Sequence, residues 1–167
     1  MCICCLQPRG GASLIAHEDK LFVIGGFCGK ELGDVHMFDL TKQAWQAITG
    51  GKILPARSVF GCGILPQSCT ENSQGASHDW IVVFGGEVGP SELGHEGAGD
   101  YADEVFGLDP NRPQLGWQKL SILGTTPSRR AWLASTSFGA GMALHGGSAP
   151  DNSRLQDMYF LSHGNMQ

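Results

Sequence analysis

A chain of 167 residues with 41% hydrophobic and only 16% charged side chains is long enough for one domain with a real core. Its net charge of −5 and lack of any basic run argue against nucleic acid as the main partner. No apolar run approaches the roughly 20 residues that span a membrane.

The chain begins MCICCLQPRG, which has neither the basic leader nor the apolar length of a signal peptide, so a soluble cytoplasmic protein is expected. Cys2, Cys4 and Cys5 are read either as a frayed terminus or as a site for palmitoylation or a soft metal. Cys28 and Cys62 sit among apolar residues and glycines and are expected to pack as small hydrophobes.

No stretch of 12 residues carries a helical stripe, while 25 glycines separate short apolar runs, so the expected class is all-β. One pattern occurs three times. It runs first from Arg9 through Leu21–Gly26 and Asp34–Asp39 to Trp45. It runs next from Arg57 through Ile81–Gly86 and Glu104–Asp109 to Trp117. Its third passage runs from Arg130 through Met142–Gly147 to Asp157–Leu161 and has no closing Trp strand. Each unit reads as strand, apolar strand, double glycine, loop, alternating strand and Trp-led strand, which is a four-stranded antiparallel blade.

The expected blades cover about 9–52, 57–122 and 130–161 as a single domain. The segment Pro66–Asp79 is expected to be a surface loop insertion. Asn111–Gly116 lengthens a turn, and Gly139-Ala140-Gly141 reads as a hairpin. One blade cannot bury both faces, so blades must stack radially. Three fall short of a closed ring. The chain is then either part of a longer propeller lacking its N-terminal blades, or it self-associates into a ring of six.

The loop after the second double glycine occurs once and gathers Glu87, Glu92, His95 and Glu96 among glycines. Metal ligation and local hydrogen bonding are both open readings for Glu87 and His95. Asp103 or Glu104 is expected to serve the turn before the next strand. Arg9, Arg57 and Arg130 share one register, and either bind an anionic partner or bond carbonyls within the fold. Trp132 is either an apolar wall for a substrate or core. His36 and His145 are expected to be packed, and His17, His78 and His163 to be exposed. No nucleophile elbow, phosphate loop or paired Cys-x2-Cys spacing is present.

Seven phrases in order resemble kelch repeats, and more specifically the C-terminal half of the plant nitrile-specifier, epithiospecifier and thiocyanate-forming proteins and their kelch relatives. They are RGGASL (9–14), GDVHMFD (33–39), RSVF (57–60), IVVFGGE (81–87), GH-x-G-x-G (94–99), RRAWLAST (129–136) and LHGGSAP followed by Asp151-Asn152. The double glycines recur roughly every 60 residues, somewhat above the kelch period of about 50.

The resemblance implies half of a six-bladed kelch propeller. It also implies an iron(II)-dependent activity that diverts glucosinolate aglycone breakdown towards nitriles or related products. The implied ligand pattern is Glu-x3-Asp-x3-His. It falls on Glu87 and His95, with Ser91 at the middle position and Glu92 one residue along as a substitute carboxylate. Arg9, Arg57, Arg130 and Trp132 are the implied substrate-binding residues. The alternative is a non-catalytic kelch scaffold presenting its loops to a protein partner.

Overall fold

The computed structural model describes residues 6–66, 78–89 and 99–162. The first sheet joins β1 (Ser13–His17), β2 (Lys20–Phe27), β3 (Glu31–Asp39) and β4 (Ala44–Ala47) in chain order. The second joins β5 (Gly61–Leu65), β6 (Trp80–Phe84), β9 (Val105–Leu108) and β10 (Gln118–Leu120). Between β6 and β9 a small ribbon of β7 (Glu87–Gly89) and β8 (Asp100–Tyr101) projects from the sheet. The third sheet has β11 (Ala134–Phe138), β12 (Gly141–Ser148) and β13 (Arg154–Ser162), and no fourth strand among the described residues. All pairings within the sheets are antiparallel.

The period-two alternation of strands decides where the core lies. In β6, Ile81 and Val83 point into a cluster with Phe22, Ile24, Val35 and Met37 of the first sheet. Val82 and Phe84 point the other way, into a cluster with Met142 and Leu144 of the third. The second sheet is therefore covered on both faces, which is why its central strand is an unbroken apolar run.

Close approach of the first strands comes from their composition. Gly61 and Gly63 of β5 leave room for Leu133, Ser135 and Met142, which a Cβ at either position would meet. Ser135 Oγ receives the Cys62 N–H at 2.8 Å and donates to the Cys62 carbonyl at 2.9 Å. Cys62 is buried as expected, and desolvation pushes its thiol up to about 12.

Trp117 packs into the first cluster at 3% exposure, but its ring N–H has no partner among the described residues. Gly139-Ala140 forms the expected hairpin turn between β11 and β12. Several histidine expectations are corrected. His17 is buried and meets Asp79 through Nε2 at 3.1 Å, because β1 ends against the start of the second sheet. His78 is half-buried, packed against Trp80 with the two rings tilted by 39°, and 3.4 Å from Asp109. The described end of the Pro66–Asp79 insertion is thus bonded into the fold, and residues 67–77 lie outside the described set. His145 is exposed on the open face of the third sheet, where it meets the Asp157 carbonyl, and His36 is half-buried beside Asp34. His163 lies outside the described residues.

Candidate functional site

Each sheet ends its second strand on a double glycine with positive φ: 55° and 102° at Gly25 and Gly26, 69° and 97° at Gly85 and Gly86, 63° and 102° at Gly146 and Gly147. The residue that follows pairs with the one after the register arginine, giving bridges Gly10 to Phe27, Ser58 to Glu87 and Ala131 to Ser148. Glu87 therefore occupies the place that Phe27 and Ser148 hold in the neighbouring sheets. Its N–H and carbonyl exchange bonds with Ser58 at 2.9 Å each.

The three arginines are tied down by one repeated arrangement. Arg9, Arg57 and Arg130 each donate through Nη1 to the carbonyl of the first glycine of the pair, at 3.0, 2.8 and 3.1 Å. Arg9 also forks onto Asp34 at 2.5 and 3.0 Å, and Arg130 onto Asp157 at the same two distances. Arg57 lies over the Phe106 ring, 3.8 Å from Glu104. Arg57 and Arg130 are fully buried, and burial lowers the pKa of Arg57. These guanidiniums bond the glycine carbonyls of their own sheets, where a positive charge is satisfied locally.

Of the two readings open for Trp132, its exposure rules out the core one. It is 65% exposed, not core. It stands two residues after Arg130, as Gly11 and Val59 stand after Arg9 and Arg57, and all three have positive φ of 59°, 49° and 59°. Its backbone N–H is held by the Val59 carbonyl at 2.8 Å, and that of Val59 by Gly11 at 2.8 Å. A left-handed backbone is costly for a residue with a branched or bulky side chain, and here neighbouring sheets hold it in place. The result aims an indole outward at the joint between the second and third sheets.

Tyr101 lies at that joint. Burial pushes its phenol pKa up, and the negative charge of Glu87 pushes it further, while Arg154, Ser148 and Trp132 act in the opposite direction. The Glu87 carboxylate also lies against Gly99, where any Cβ would collide with it. Arg154 donates to Ser148 Oγ, to the Asn152 carbonyl at 2.9 Å and to Asn152 Oδ1 at 3.0 Å. The structure thus brings together Glu87 and Trp132 from the sequence reading, and adds Tyr101, Ser148 and Arg154. Ser148 was findable, since it holds the register of Glu87 in the third unit. Tyr101 and Arg154 carry no pattern of their own. The set offers an exposed cation, a carboxylate and a flat apolar wall within one joint.

Among the described residues no three His, Cys, Asp or Glu side chains gather as a metal site. Ser91, Glu92, His95 and Glu96 lie outside the described residues. Glu104 pairs with Arg57 and also with Lys119 at 3.6 Å, and Asp103 with Arg129 at 3.4 Å. Among the described residues no helix is long and apolar enough to cross a membrane.

The kelch motif matches residues 8–51. Over 93% of its length the chain is 29% identical to the N-(sulfonatooxy)prop-2-enimidothioate sulfolyase of Thlaspi arvense, covering 47% of that protein. It is 27% identical over 90% of its length to the acyl-CoA-binding domain-containing protein 4 of Arabidopsis thaliana, covering 21% of that protein. The chain therefore spans about half or less of the curated relatives it matches. The solved structure of YjhT shares the fold at a TM-score of 0.69 and 15% identity, over 98% of this chain and 46% of that one. With its kelch motif at residues 8–51, its repeated sheets and this shared architecture, the chain folds as part of a kelch-type β-propeller.

Proposed function

We propose that this chain is the substrate-facing part of a specifier-like kelch protein. It would act on a sulfated imidothioate, the chemical class in the name of its Thlaspi arvense relative. The observation that carries this reading is the similarity to that sulfolyase along 93% of the chain. The joint between the second and third sheets suits such a molecule. Arg154 would hold the sulfonate end through charge-assisted bonds, and Trp132 would cover the side chain.

The iron proposal rests on Glu87 and on residues outside the described set. Glu87 and His95 would hold iron(II), with Glu92 supplying the carboxylate that Ser91 lacks. The ion would supply a Lewis acid to the breaking molecule. The chain's own residues orient the substrate: Trp132 excludes water on one side, and Arg154 fixes the charged end.

The test is anaerobic iron(II) titration of the chain and of Glu87→Ala and His95→Ala, beside product analysis on a freshly released aglycone. Stoichiometric binding lost in both variants, with nitrile-type products appearing only with iron, is the expected result. An unchanged product ratio from a chain that binds no iron would reject it. It would favour a second reading, a scaffold that binds a protein partner, which Ser91 and the outward Trp132 also suit.

A further inference from the structure

The first and second sheets each have four strands, and the joint between them holds a cavity of about 440 Å³. Small-molecule sites span roughly 300–1,000 Å³ and are mostly apolar, with a few polar groups that fix orientation. The walls here are Val35, Ile48, Leu54, Leu108, Pro113 and Trp117. Of these, Val35, Leu54, Leu108 and Trp117 are at most 5% exposed.

The walls are built before any ligand arrives. Asp109 Oδ1 accepts the N–H groups of Asn111 and Arg112 at 2.9 and 3.2 Å, which fixes the turn that carries Pro113. Gly116 bridges Lys52 in the crossing between the sheets, and the Trp117 N–H reaches the Lys52 carbonyl at 2.8 Å. Gly51 has φ of 62° and lies against the Leu115 carbonyl, where any Cβ would collide. The lengthened turn at Asn111–Gly116 is thus clasped onto the crossing and forms one side of the cavity through Pro113 and Gly116.

Two groups of the lining point to a ligand. Trp117 is buried, yet its ring N–H has no partner among the described residues. A buried donor without an acceptor is unfavourable, and an acceptor brought in by a ligand removes that cost. Lys52 is the second group. It is exposed in the lining, and the lysine ion pairs among the described residues fall on Lys20, Lys42 and Lys119 instead. Asp34 lines the cavity too, but Arg9 takes both of its oxygens and His36 bonds one of them. The charge left uncompensated at the cavity is therefore positive.

We propose that this cavity binds a small amphiphilic anion. Its apolar body would lie against Leu54, Leu108 and Trp117, an acceptor atom would take the Trp117 ring N–H, and its acidic group would meet Lys52. The cavity lies at a different joint from Trp132 and Arg154, so this inference stands apart from the proposed chemistry.

The experiment titrates anilinonaphthalene sulfonate, an aromatic body with an amine and a sulfonate, into the isotope-labelled 167-residue chain. The tryptophan ring N–H resonances are followed by nuclear magnetic resonance, with Trp117→Phe assigning the one that matters. A saturable shift of the Trp117 resonance is expected. Lys52→Gln should weaken binding roughly fivefold at low salt, the worth of one screened ion pair, and less as salt rises. Ala56→Phe, at an exposed lining position, should fill the entrance and abolish the shift while leaving the circular dichroism of the parent. The uncharged N-phenylnaphthylamine should bind more weakly than the sulfonate and be indifferent to Lys52→Gln. A Trp117 resonance that stays still at saturation, binding unaffected by both substitutions, or equal affinity for the charged and uncharged probes would overturn the proposal.

Discussion

Arg130 shows how one side chain can serve the fold while looking like a ligand for substrate. Its guanidinium meets the Gly146 carbonyl, Ser128 and both oxygens of Asp157, and it lies 5.3 Å from the Tyr159 ring centre. Lysine keeps the charge but not the fork, so Arg130→Lys should lower stability by about 1–3 kcal/mol in urea unfolding. Asp157 is held below its ordinary 3.8 by the Arg130 bond, against a smaller opposing effect of desolvation. Its depressed folded value means that its contribution is present above the unfolded pKa and lost as pH falls through the folded one. Asp157→Asn should therefore cost stability at neutral pH, and the gap to the parent should narrow as unfolding is repeated below about pH 4. A gap independent of pH would mean that the carboxylate's charge is not what matters. The register of these arginines is plain in the sequence. Their burial is not, because an arginine facing a channel and one bonding glycine carbonyls have the same spacing.

At the scale of the element, the strands and double glycines were legible because each is a local property: alternation, an apolar run, a backbone with positive φ. The second glycine of a pair is needed twice over. At Gly86 φ is 97°, and a Cβ would meet the Phe60 Cβ at 2.7 Å and the Ser58 carbonyl at 2.8 Å. Gly139 has φ of 53° in the hairpin turn and nothing within 4 Å. Gly86→Ala should thus cost well over the roughly 1 kcal/mol expected of a purely left-handed position, and Gly139→Ala close to that figure. Denaturant midpoints of the two variants, measured side by side, check this; equal shifts would contradict the packing account. What the sequence hid at this scale was the orientation of single residues between elements. Trp132 reads in the sequence either as core or as an apolar wall, and only the strained turn that it shares with Gly11 and Val59 turns it outward. His17 reads as exposed at a strand end, yet the neighbouring sheet covers it.

The whole molecule is held together by its middle sheet. Because β6 sends Ile81 and Val83 into one cluster and Val82 and Phe84 into the other, neither outer sheet can lose its packing without exposing part of the same strand. The candidate site belongs to this scale too: Glu87 and Tyr101 come from the β7–β8 ribbon between β6 and β9, Ser148 and Arg154 from the third sheet, and Trp132 from the crossing between the second and third. Such a set has no single spacing in the sequence, since only the stacking of sheets assembles it, and this is why Tyr101 and Arg154, which carry no repeat position, had to wait for the structure.

Cooperativity across the joints can be tested directly. Phe22→Ala opens a cavity in the first cluster and Met142→Ala one in the second, both at fully buried positions, at a cost of about 2–5 kcal/mol each. If the shared strand couples the sheets, each variant should lower the midpoint of a single transition. Tryptophan fluorescence and far-ultraviolet circular dichroism would then still coincide. If instead the sheets behave as a chain of separable repeats, Met142→Ala would melt the third sheet early and split the two signals. Coincident curves in both variants are the expected outcome, because β6 gives the two clusters one backbone in common.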